Sequence, residues 1–252
     1  MSVLAALDPD AIPAMRAHAE RTWPEEACGV VAGGRYEERT NVAADRESSW
    51  QMDPETLRAG DIRAIVHSHP PGCEQFPSAA DMQCQIDTAL PHGIVPMSRN
   101  GEDPPRAGEP FFWGPGEAPE AYLGRSYRHG VTDCYTLVRD WYGRERGLAL
   151  PALAYDWRWF ADEPELDLYS SWRKRLGWRR VEPAAAEPGD LVLLALMGAR
   201  VANHAGILLE DGTLLHHPSA RPYDPTCLSR RTPVGRLVKY VVEVARPPEA
   251  ES

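Results

Sequence analysis

The chain is 252 residues long and 43% hydrophobic, enough for packed cores in two domains or one large one, which excludes a disordered chain. Its formal net charge of −10 removes global electrostatic support for nucleic-acid binding, and the basic cluster Arg173, Lys174, Arg175, Arg179 and Arg180 reads as a solvated surface. The longest apolar run, Leu191–Met197, has the length of a strand and not of a membrane span.

In chain order, residues 9–22 carry a helical pattern that ends at Trp23-Pro24. Residues 28–32 predict a short buried strand ended by Gly33-Gly34, and residues 62–69 a second strand stopped by Pro70-Pro71. Residues 78–90 predict a helix, with Met82, Ile86, Ala89 and Leu90 at helical spacing. Residues 99–120, dense in Pro, Gly and acid, read as a linker or a long irregular connection, so the expected domains are 1–114 and 115–252. The second half predicts a helix over 133–146, a Trp-rich irregular region over 155–178, and strands at 191–196, 204–209, 213–216 and 237–244. Trp157, Trp159, Trp172 and Trp178 read as packing. The tail after Val244, rich in Pro and Glu, predicts fraying. The expected fold class is α+β: a mixed α and β unit, then a helix packed on an antiparallel sheet.

Chemistry concentrates in two places. His67 and His69 lie two apart on a predicted strand, so both side chains face one way and suit a single metal. Asp81, near the start of the next helix, supplies a third ligand. Three protein ligands with an open position is the catalytic type of zinc site, which acidifies water and polarises a carbonyl. Glu26 then serves as general base and Ser78 steadies an oxyanion. Ser78-x-x-Asp81 is also an ordinary capping box, compatible with that role because a cap fixes where Asp81 points. Together these residues resemble the JAMM/MPN metalloprotease family, whose pattern is a Glu, then His-x-His-Pro, then Ser-x-x-Asp. The context Glu26-Ala27-Cys28-Gly29 favours Glu26 over Glu25. The segment Pro70–Pro77 is one residue longer than the family's usual spacing, and Cys73 within it is an alternative soft ligand.

The second place is Thr132-Asp133-Cys134. Both residues before the cysteine are good N-caps, so the thiol falls in the first helical turn, where the dipole favours thiolate. With five cysteines at irregular spacing, no disulfide framework is expected. His204 starts a strand and can act as base and then acid. A three-residue turn over Glu210-Asp211-Gly212 places His216 on its face; a two-residue turn places His217 there. The set resembles the NlpC-type cysteine peptidases in Asp133-Cys134, Pro188-Gly189-Asp190-Leu191 and His204-Ala205-Gly206-Ile207. That resemblance implies a papain-like fold, selects His216 as the third residue, assigns Tyr127 to the substrate side, and implies cleavage of peptidoglycan stem peptides, commonly between D-glutamate and diaminopimelate.

The order of the two modules, with Gly124-Arg125-Ser126-Tyr127-Arg128-His129-Gly130 and Asn203-His204-Ala205-Gly206, resembles the tail tip assembly protein K family of lambda-type phages. The resemblance implies a place at the virion tail tip, tail proteins and peptidoglycan as partners, and a zinc ion in the first domain. The N-terminal segment has no basic region and carries Asp8 and Pro9, so no secretory signal is expected. Synthesis in the host cytoplasm, delivery on the tail and action in the periplasm or wall fit together. Two other readings compete: an assembly factor with scaffolding sites, and a protein-processing isopeptidase in which the metal site acts and the thiol domain is structural or binding.

Overall fold

Two glycines at 33 and 34, with φ of 54° and 83°, set the first hairpin. They form a two-residue turn of the type that matches strand twist, joining β1 (Cys28–Ala32) to β2 (Arg35–Arg39) with Ala32 opposite Arg35. This computed structural model describes residues 2–55, 61–163 and 165–248. Before the hairpin come α1 (Val3–Ala6) and α2 (Ala11–Thr22), the latter burying Ala11, Met15 and Ala19 at intervals of four. β3 (Ile62–His69) is central: it runs antiparallel to β1 and parallel to β4 (His92–Ser98), reached through α3 (Ala79–Thr88). β5 (Arg106–Ala107) and β6 (Phe111–Trp113) both pair with β4, giving the order β2-β1-β3-β4-β5 with β6 on β4.

The region read as a linker therefore holds two strands of the first sheet. The apolar run Phe111–Trp113 finds a partner in β4 that its Pro- and Gly-rich flanks conceal. The chain divides into units of Met1–Ala118 and Pro119–Ser252.

The second unit begins with β7 (Ser126–Arg128) and α4 (Cys134–Arg146), which packs on the sheet through Leu137, Val138 and Tyr142. The segment expected to be irregular contains α5 (Trp159–Asp162) and α6 (Leu168–Arg175), then β8 (Arg179–Val181). Burial explains the difference: Trp159, Tyr169, Trp172 and Trp178 join Tyr135 and Tyr142 in the main core, so tertiary packing stabilises helices too short to stand alone. β9 (Leu191–Leu194), β10 (His204–Leu208), β11 (Thr213–His216), β12 (Tyr223–Leu228), β13 (Arg230–Pro233) and β14 (Val241–Arg246) follow. The sheet order is β13-β11-β10-β9-β14-β8, while β7 and β12 form a ribbon. The strand expected over 237–244 begins at Val241, because residues 238–240 form a single 3₁₀ turn. It runs to Arg246, so the tail is paired two residues beyond Val244; residues 249–252 lie outside the described residues.

Candidate catalytic sites

The three-residue turn is present: the amide of Leu209 donates to the carbonyl of Thr213, and Gly212 has φ of 71°. Gly206 is thus opposite His216, and His204, two residues from Gly206, shares that face. His204 Nε2 lies 2.9 Å from His216 Nδ1, and His216 Nε2 lies 2.8 Å from Thr232 Oγ1 on β13. His217 turns the other way, donating from Nε2 to the carbonyl of Cys227 at 3.1 Å and meeting the Tyr127 ring edge-on at 5.0 Å.

Asp133 caps α4. Its Oδ1 accepts from the amide of Thr136, whose hydroxyl accepts from the amide of Asp133, and its Oδ2 accepts from the Gly130 amide and the Tyr155 hydroxyl. This box fixes Cys134 at the first helical position. Cys134 and His204, 6% and 5% exposed, line one cavity of ≈ 40 Å³ with Tyr127, Asp133, Tyr169 and Asn203, together with Trp157, Trp159, Phe160, Leu196 and Met197.

The helix start favours a thiolate at Cys134, and burial opposes it. Burial, with the Asp133 carboxylate next to it, pushes the Cys134 thiol up to about 12, although the Tyr169 hydroxyl and the amides of Ala205 and Tyr135 favour the anion. Burial also lowers His204 well below the ordinary value, aided by His216, His217 and Arg230. His216 is lowered to about 4 by burial, Arg230 and His217. Burial thus disfavours the charged form of all three side chains. For His204 to accept a proton at Nδ1, its Nε2–H must donate to His216 Nδ1, which places the His216 proton at Nε2, donating to Thr232.

In the first unit, β3 presents His67 and His69, and α3 presents Asp81 from its first turn. His67 Nε2 lies 3.1 Å from His69 Nε2 and 3.2 Å from Asp81 Oδ1, and His69 Nε2 lies 3.5 Å from Asp81 Oδ2. Two metal bonds of about 2.0–2.1 Å at a tetrahedral angle put ligand atoms about 3.3 Å apart, so this donor set fits a zinc ion. His69 Nδ1 donates to the carbonyl of Glu74 at 2.6 Å, which frees Nε2 for ligation. Ser78 closes a capping box with Asp81: its hydroxyl donates to Oδ2 at 2.7 Å and accepts from the Asp81 amide at 3.1 Å. Glu26 lines the same cavity of ≈ 460 Å³ with Trp50, Met52, Ile65, Cys73 and Cys84. Burial pushes its carboxyl up to about 7, against the pull of His69. Cys73 lies outside the converging group of His67, His69 and Asp81.

Four residues beside these groups escape sequence reasoning. Trp50 stacks on His67 at 4.9 Å and donates from Nε1 to Asp81 Oδ1 at 3.3 Å. Tyr155 holds Asp133, Tyr169 touches Cys134, and Thr232 holds His216. None belongs to a motif; only the pairing of β11 with β13 brings Thr232 near, and that strand carries little apolar signal.

Residues 8–107 match the family described as prokaryotic homologs of the JAB domain, and residues 108–231 match the NlpC/P60 family. The fold and the two clusters thus define a two-domain protein of mixed helix and sheet, JAB-like and then NlpC/P60. Over 232 residues it is 34% identical to tail tip assembly protein K of Escherichia phage N15, covering 89% of this chain and 88% of that protein. Over 158 residues it is 38% identical to tail tip assembly protein K of Escherichia phage lambda, covering 63% and 70%. The chain belongs to the tail tip assembly protein K family. Among solved structures it is similar to the NlpC/p60 domain of the peptidoglycan hydrolase SagA, with TM-score 0.34, 16% identity, and 50% of this chain and 89% of that one covered. No helix among the described residues is long and apolar enough to cross a membrane.

Proposed function

We propose that the protein is a tail tip-associated endopeptidase that cleaves peptidoglycan stem peptides through Cys134, His204 and His216. The observation that carries this reading is the cavity shared by Cys134 and His204, with His216 2.9 Å behind the base. His204 Nδ1 takes the thiol proton as sulfur attacks the amide carbonyl. The imidazolium so formed is stabilised through Nε2–H by His216 and returns a proton to the leaving amine. Water, activated by the same imidazole, then hydrolyses the thioester. Tyr127, on the wall of this cavity, serves the substrate side. Such a protein acts at the cell wall from the virion tail tip, with other tail proteins as its assembly partners.

In the first domain His67, His69 and Asp81 would hold a zinc ion. Zinc supplies Lewis acidity toward an amide carbonyl. Glu26, with its carboxyl near neutrality, takes up and returns a proton at the cavity wall, and Ser78 orients Asp81 and an oxyanion. A second reading, a protein-processing isopeptidase in which the thiol domain is structural, draws support from cavity size: ≈ 460 Å³ at the metal group against ≈ 40 Å³ at the thiol.

Digestion of purified peptidoglycan by wild type, Cys134→Ala and His69→Ala, with products identified by mass, separates the two. The first reading expects loss of digestion in Cys134→Ala only. Retained digestion in that variant refutes it.

A further inference from the structure

Tyr169 stands outside every signature in the sequence. It lies in the first turn of α6, 1% exposed, with its ring against Tyr135 at 5.8 Å and Trp159 at 6.1 Å. Its hydroxyl is 3.5 Å from Cys134 Sγ, its only hydrogen-bond partner among the described residues. A buried tyrosine hydroxyl ordinarily finds a strong acceptor. A neutral thiol is a weak one, so at rest the contact contributes little. Facing a thiolate, the same O–H makes a charge-assisted bond about twice as strong. The arrangement favours the reacting form of the sulfur over its resting form, which is the requirement for catalysis.

We propose that Tyr169 is a further catalytic residue of the thiol reaction, its hydroxyl donating a hydrogen bond to the Cys134 sulfur as negative charge develops there. The proposal rests on the thiol reading above. The thiol proton goes to His204 Nδ1, and Tyr169 keeps its own throughout. Burial, with Cys134 beside it, holds the phenol well above its ordinary value, so it donates without ionising. The sulfur electron pair forms the bond to the carbonyl carbon, and charge passes to the carbonyl oxygen. In the second half the C–S bond breaks, the pair returns to sulfur, and the same hydroxyl stabilises the departing thiolate.

Tyr169→Phe removes one oxygen. The test measures the rate of iodoacetamide alkylation of Cys134 in the full chain at fixed pH 8, resolved by peptide mass, alongside peptidoglycan turnover. The alkylation rate should fall about tenfold, the equivalent of about one pH unit in the thiol, and kcat about tenfold with KM unchanged. Replacing Tyr169 with 3,5-difluorotyrosine, of similar shape but a stronger donor, should raise the alkylation rate. That variant carries the test if the phenylalanine one does not fold. An unchanged alkylation rate overturns the proposal. Digestion surviving in Cys134→Ala overturns the thiol reading instead, and the alkylation rate still decides whether the hydroxyl acts on the sulfur.

Discussion

His216 links pH to stability, and the size of the link follows from its surroundings. The side chain is 3% exposed, bonded at both ring nitrogens, and lowered to about 4 by burial, Arg230 and His217. In the unfolded chain it titrates near 6.5. Between these values the unfolded state binds a proton that the folded state does not. Stability is therefore fully present above about pH 6.5 and is lost as pH falls toward 4. At 1.36 kcal/mol per pH unit over that interval, the loss is about 3 kcal/mol. Asparagine at this position carries no such proton. Urea unfolding at a series of pH values, followed by tryptophan fluorescence, reads the second unit, because five of the eight tryptophans (Trp141, Trp157, Trp159, Trp172 and Trp178) lie there. Wild type should lose about 3 kcal/mol more than His216→Asn between pH 6.5 and 4. Parallel stability curves for the two proteins would show that the imidazole is not held neutral in the folded state.

Thr232→Val should lower kcat on peptidoglycan about tenfold with KM unchanged, and Thr232→Ser should restore it; equal losses in both point to packing rather than the hydroxyl. Trp50→Phe keeps a ring on His67 but removes the donor to Asp81, so zinc affinity measured by chelator competition should fall about tenfold or more; an unchanged affinity assigns Trp50 to packing alone. A methyl group on Gly206 would meet Leu214 Cγ at 2.7 Å and the carbonyl of Leu215 at 2.8 Å, beside the bond between the two imidazoles. Gly206→Ala should cost about 1–3 kcal/mol in urea unfolding and also reduce turnover. Stability equal to wild type would mean that the strand pair gives way freely.

What the sequence discloses depends on how local the cause is. β1, β3 and β11 have the bounds that their composition and flanking Gly or Pro predict, and α4 starts where Asp133 caps it. The convergence of His67, His69 and Asp81, and of His204 and His216, follows from strand alternation, one helix cap and one turn length. β2 is hidden because Arg35–Arg39, with three charged residues in exposed positions, lacks an apolar face. β12 and β13 are hidden for the same reason, and with them Thr232. α5 and α6 owe their helical form to a core assembled from distant residues. The surroundings of Cys134 are the sharpest case: its place at a helix start is local, but the burial that opposes a thiolate there is not.

The chamber around Cys134 has consequences for timing. Its ≈ 40 Å³ accommodates on the order of one to a few water molecules, whereas small-molecule clefts span about 300–1,000 Å³. On the proposed reading a peptide has to widen this cavity before it meets the sulfur, and Trp157, Phe160 and Met197 are among the side chains of its wall that are not buried. In the proposed peptidase, turnover then includes the step that widens this wall, and the sulfur stays sheathed until that step.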